Sequence, residues 1–388
     1  MTSVVMGPYA SQILGDLGAD VIKVEPPDGD TTRKLTPAKN QGMGHVFLNL
    51  NRNKRSVVLD LKKPDGLAAL MRLAKDADAI IYNVRPNAMA RLGITYEKLA
   101  AANPKLISLS LVGYGQDGPY AADPAYEDLI QGLTAVPSLL AEAGAEVPHY
   151  VPLAFNDRSV GLHAVIALLA AICRRERTGK GQDIQIPMFE TMVQATLTEH
   201  MGGMTFEPQN GPPGYRRTLS KERRPYRTRD GYICVIVYND RHWRSFLDLV
   251  GKSDLFDTDP RFADIGARTN HADELYAVVA EAIGTRTTAE WLEALRAADV
   301  PVAPLHTLAS VFTDPHLAET GFFQMVDHPS EGRIRQIDIF SKWSESPPSI
   351  RRHAPRLGEH SIEVLLEAGL SRETIEQMIA NSVTAQPN

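Results

Sequence analysis

The chain has 388 residues, enough for two domains or one large domain with an insertion, and its 43% hydrophobic and 23% charged residues suit a globular protein with a sizeable core. Its formal charge is −6, from 41 basic and 47 acidic residues, which excludes global attraction to nucleic acid or to an anionic membrane. An anionic ligand must therefore meet a local basic site.

Cys173 and Cys234 lie in apolar surroundings without CxxC spacing, so they read as buried thiols of a cytoplasmic protein. Met1 to Gly7 lacks a basic region followed by an apolar stretch, so no signal peptide is expected. The apolar run Val160 to Cys173, interrupted by His163, is expected to be too short to span a bilayer.

In chain order, Tyr9 to Gly18 reads as a helix and Asp20 to Glu25 as a strand, with a second strand around Val57-Val58-Leu59. Pro64 stands at a helix start, where its missing N–H costs nothing, and Leu67, Leu70, Met71 and Ala74 follow at helical spacing. Ala79 to Tyr82 and Leu106 to Val112 read as strands flanking a helix at Tyr96 to Ala102. This βαβ rhythm predicts an α/β fold: a Rossmann-like large domain with a mostly parallel sheet and helices on its faces. Ligands of such sheets bind beyond the carboxyl ends of the strands, which directs attention to Glu25, Asn83 and Gly113.

After Leu197 the composition shifts to Gly, Pro and Arg. A strand then begins at Tyr232, and Thr287 with Glu290 forms a capping-box pattern ahead of a further helix. The expected division is a large domain over 1–197, a linker over 198–229, a small α+β domain over 230–310, a linker over 311–331, and a return to the large domain over 332–388.

Gly113-Tyr114-Gly115-Gln116-Asp117-Gly118 matches GxGxxG, but Pro119 and Asp123-Pro124 follow where a nucleotide fingerprint needs a helix. It reads as a flexible loop. GxxxxGK[ST], HExxH and GxSxG are absent, which sets aside P-loop enzymes, zinc hydrolases and α/β-hydrolases, and no metal ligands are assigned. Asp157 stands at the expected start of a helix running from Arg158 to Arg174. There, unpaired N–H groups and the helix dipole would keep its carboxylate ionised. An ionised carboxylate can attack an acyl carbon, but position alone favours an ordinary N-cap for Asp157. Lys62, Arg85 and Arg91 can pair with phosphate or lie on a solvated surface, and Tyr126-Glu127-Asp128 reads as an exposed helix start.

Several segments, taken in order, resemble the class III CoA-transferases, the family that includes formyl-CoA transferase and α-methylacyl-CoA racemase. They are Gly7-Pro8-Tyr9-Ala10-Ser11-Gln12, Gly18 to Glu25, Asn51 to Ser56, Asn83-Val84-Arg85-Pro86, Gly113 to Tyr120, Arg177 to Gln182, and Ala354 to His360. The resemblance implies that Asp157 is the catalytic aspartate. It places coenzyme A against Val5, Met6, Leu59, Lys62, Asn83, Val84, Arg85 and Arg91, and places Tyr126 and Glu127 near the acyl group and acceptor acid. The implied reaction moves coenzyme A, a co-substrate, from an acyl-CoA to a carboxylic acid through an aspartyl anhydride and an aspartyl-CoA thioester. No permanently bound cofactor or metal is expected, and the implied assembly is an interlocked homodimer that binds neither nucleic acid nor membrane.

The family's formyl-CoA:oxalate branch carries a Gln at the position of Val5, which argues against that activity. Its racemase branch carries a His at the position of Tyr126, and a phenol with a pKa of about 10 is a poor general base at neutral pH. The alternatives are an α-methylacyl-CoA racemase or epimerase and a non-catalytic CoA-binding homologue. Relatives begin with a further strand ahead of the segment matching Val4 to Pro8, and the start at Met1 is expected to weaken the sheet edge and the CoA pocket.

Overall fold

Helix α1 (Met6–Asp16) leads into strand β1 (Val21–Glu25), which pairs in parallel with β2 (Lys54–Val58) after a short helix, α2 (His45–Leu50). The computed structural model describes residues 1–387. Pro64 opens α3 (Pro64–Asp76) as its spacing predicts, and β3 (Ala79–Tyr82) follows. Next come α4 (Pro86–Arg91), α5 (Tyr96–Ala102) and β4 (Ile107–Val112), then α6 (Glu127–Leu133) and α7 (Val136–Glu142). The long α8 (Phe155–Thr178), β5 (Gln182–Pro187) and α9 (Met188–His200) complete this half of the chain.

The single parallel sheet expected from the sequence is divided in two: β1 with β2, and β3–β4–β5, all in parallel register. Met1–Ser3 contacts both pieces. The Met1 amine donates to the Ile81 carbonyl at 2.9 Å, and Lys23 Nζ donates to the Thr2 carbonyl at 2.9 Å. Strand β5 has no strong sequence signal, because Gln182, Asp183 and Gln185 interrupt its apolar positions.

The chain divides into two compact units. The first comprises residues 1–134, 152–194 and 315–388, and holds two apolar clusters. One joins α1, β4, α6 and α8 through Ala10, Leu109, Ile130, Val160 and Ala164. The other gathers Val57, Leu70 and Leu99 with Val364, Leu365 and Met378 from the carboxyl-terminal helices Ser361–Glu367 and Arg372–Ala380. Those helices cover the outer edge of β2: Ser361 Oγ accepts the Val58 N–H at 3.1 Å, and Arg55 pairs with Glu363 and Glu367.

The second unit comprises residues 135–151 and 195–314. Its three-stranded antiparallel sheet (Tyr226–Arg227, Tyr232–Val235, Val302–Pro304) packs with helices around Trp243, Phe246 and Trp291. The predicted capping box at Thr287 and Glu290 is present. Residues 198–229, expected as a linker, contribute the buried Tyr226 and the first strand of this sheet. Residues 311–331, also expected as a linker, contain Phe323–His328, which pairs antiparallel with Gly332–Ile337.

Two expectations need correction. Cys173 is exposed and Cys234 half-buried, because Cys173 lies off the stripe of Val160, Ala164, Leu168 and Ala171 that α8 turns toward the core. The apolar run around Val160 to Cys173 belongs to a 24-residue helix that is long and apolar enough, by length and composition, to cross a membrane, although 39% of its apolar window is buried within the protein. The run looked too short because the helix extends beyond it at both ends.

Candidate active site

Asp157 is the third residue of α8 and not its cap. The cap position falls to Ala154, whose side chain has nothing to offer the first turn. The unpaired N–H groups are satisfied from a distance of thirty residues: Glu127, the first residue of α6, accepts the Asp157 N–H at 2.9 Å and the Asn156 N–H at 3.2 Å. Gln131, one turn along α6, donates to the same Glu127 carboxylate at 2.9 Å.

This geometry reverses the expected electrostatics. Burial first and the Glu127 charge second, opposed by Arg158, together raise the Asp157 carboxyl from 3.8 to about 6. Asp157 therefore remains mostly ionised at neutral pH, but as a poorly solvated carboxylate. Its side chain receives no hydrogen bond from any described residue, which leaves its oxygens available to an electrophile. Asn156 beside it is fully buried, with an unpartnered Oδ1.

Gly161, one turn after Asp157 on the same face of α8, lets α1 approach closely: a Cβ there would lie 2.9 Å from the Met6 carbonyl oxygen. Met6 and Val5, which caps α1, are thus brought beside α8, and Arg158 faces the Tyr9 ring at 5.9 Å. Glu127 meets Asp157 directly, whereas Tyr126 is 71% exposed and its side chain caps nothing.

The other expected residues separate into groups. Arg85 and Arg91, at the two ends of α4, line a cavity of about 130 Å³ with Pro86, Asn87, Gln116 and Ala121-Ala122. Neither guanidinium has an ion-pair partner among the described residues. Gln116 is the member that sequence reasoning left without a role, although it lies in the glycine-rich segment after β4. That segment is a loop, as expected, since no helix begins before Glu127. Asn83 binds the Ser3 backbone through both ends of its amide, and Val84 is half-buried beside it. Leu59 is only 1% exposed, so its side chain belongs to the core, and Lys62 is exposed after β2.

The family model for CoA-transferase family III matches residues 1–361. The chain belongs to CoA-transferase family III. Among relatives within that family, it is 32% identical to a succinate–glutarate CoA-transferase of Agrobacterium fabrum, over 97% of this chain and 94% of the relative. It is 31% identical to a formyl-CoA:oxalate CoA-transferase of Streptomyces avermitilis, over 99% and 97%. A crystal structure of a CaiB/BaiF family protein from Brucella suis superposes with a TM-score of 0.78 at 31% identity, covering 95% of this chain and 97% of that one.

Proposed function

We propose that the protein is an acyl-CoA:carboxylate CoA-transferase in which Asp157 is the nucleophile. The carrying observation is the Asp157 carboxylate itself: ionised at neutral pH, deprived of solvent, without hydrogen-bond donors, and fixed at a helix start by Glu127. Attack on the thioester carbonyl gives an acyl-aspartyl anhydride and CoA thiolate. The thiolate attacks the aspartyl carbonyl, which releases the donor acid and leaves an aspartyl-CoA thioester. An acceptor carboxylate attacks that thioester to form a second anhydride, and the thiolate then takes the acceptor's acyl group and restores Asp157. The paired Arg85 and Arg91 guanidiniums support binding of a CoA phosphate, since their cavity suits a phosphoryl group. Names of relatives such as succinate–glutarate CoA-transferase support small carboxylic acids as donor and acceptor.

The first unit is read as Rossmann-like on its parallel β3–β4–β5 strands, and the assembly as an interlocked homodimer. Exposed Leu162, Ile166 and Leu169, at helical spacing on α8, support a partner surface there. Two free cysteines support a reducing, cytoplasmic setting.

Incubation with an acyl-CoA and hydroxylamine tests the mechanism. Asp157 should be recovered as a hydroxamate by mass spectrometry, and Asp157→Ala should lose transfer at least a thousandfold. Turnover with Asp157 unmodified would remove the mechanism.

A further inference from the structure

Val4 has φ +68, a left-handed backbone conformation that a β-branched side chain rarely takes, and it is exposed, so no packing of its side chain accounts for it. The surrounding bonds do. Asn83, just past the end of β3, accepts the Ser3 N–H through Oδ1 and donates to the Ser3 carbonyl through Nδ2, each at 3.0 Å. Asp30 Oδ1 accepts the Val4 N–H at 3.2 Å. The same carboxylate caps the short turn Thr31–Lys34 through Thr32 and pairs with buried Lys23 at 2.8 Å, and Lys23 in turn holds the Thr2 carbonyl. Three consecutive residues are thus held by side chains from three different segments. Immediately beyond them, Val5 caps α1 and its carbonyl accepts the Tyr9 N–H at 2.8 Å, closing the first turn. The Met6 carbonyl from that turn meets Gly161 of α8, one turn beyond Asp157.

We propose that Asn83 and Asp30 are positioning residues that impose the left-handed turn at Val4 and thereby set Val5 and Met6 against the Asp157 face of α8. Asn83 therefore acts on the protein's own backbone. The inference rests on the CoA-transfer reading for its kinetic consequence, while the backbone arrangement stands independently of it.

The test exploits the strain. If the side-chain bonds exist to impose a left-handed Val4, a glycine there should replace them, because it takes that conformation without steric cost. Asn83→Ala and Asp30→Ala should each lower kcat/KM for acyl-CoA tenfold or more, and adding Val4→Gly to either should recover at least a third of the loss on a logarithmic scale. If Asp30→Ala fails to fold, Asn83→Ala carries the test, since its amide bonds only Ser3. Hydrogen exchange at the Tyr9 amide should accelerate at least tenfold in Asn83→Ala and slow again with Val4→Gly. The discriminating readout is recovery of kcat/KM and of Tyr9 exchange in the double variant that exceeds the gain Val4→Gly gives in the otherwise unaltered protein. Wild-type kinetics and exchange in Asn83→Ala, or no recovery with Val4→Gly, would overturn the proposal. If the unaltered protein transfers no CoA between any donor and acceptor, the functional reading fails, and the exchange measurement alone decides the positioning claim.

Discussion

The Glu127 carboxylate accepts the backbone N–H of Asp157 at 2.9 Å, so one acid anchors the residue whose charge it opposes. The result is an ionised Asp157 with a carboxyl acidity near neutrality.

The first expectation concerns pH. In the proposed mechanism the carboxylate form attacks, so kcat/KM for acyl-CoA should fall below a midpoint of about 6. Glu127→Gln retains an oxygen for the helix N–H groups but removes the opposing charge, and should move that midpoint to lower pH. A pH–rate profile of both proteins checks this, and an unmoved midpoint contradicts the electrostatic role of Glu127.

The same shift has a stability consequence. The folded Asp157 holds its proton up to about 6, whereas the unfolded one releases it near 3.8. Between those values the folded state binds more protons, so stability falls as pH rises through the window, and the full penalty persists above it. Asp157→Asn should therefore melt at a higher temperature than the unaltered protein at pH 7.5, with the gap closing toward pH 4. Calorimetry across that range measures it.

Arg85 and Arg91 make a third case. If they bind a CoA phosphate, alanine at either position removes a charge-assisted bond worth about 1.5–3 kcal/mol, raising KM for acyl-CoA at least tenfold. Transfer at saturating donor should change little. A KM unaffected by both substitutions would separate the cavity from the substrate.

Gly161→Ala tests the contact between α1 and α8. The added methyl would lie 2.9 Å from the Met6 oxygen, a backbone atom unable to swing aside. The expected cost is roughly 1–3 kcal/mol of unfolding free energy, together with reduced transfer. Denaturant titration beside steady-state kinetics measures both.

The fold was readable where the signals are local. Pro64 and the Leu67–Leu70–Met71–Ala74 spacing gave α3, Thr287 and Glu290 gave a capping box, and the ordered motifs gave the family. The environment of Asp157 was not readable, because its helix is capped by Glu127, a partner thirty residues away that no spacing rule connects to it. Cys173 looked buried by its apolar neighbours, yet on a helix burial follows angular position more than neighbourhood. Strand β5 was invisible because pairing with β4, rather than its own polar-rich sequence, makes it a strand.

The carboxyl-terminal helices covering β2 also bear on how the protein comes into being. The Val383 carbonyl accepts the Asp60 N–H at 2.8 Å, and His360 and Ser361 bind the β2 backbone. Residues near position 60 thus wait for residues near position 380. On the ribosome, the amino-terminal strands emerge long before the helices that cover them, leaving the β2 edge unprotected through most of synthesis. The unit that holds Asp157 is therefore complete only after the residues near position 380 have emerged and docked.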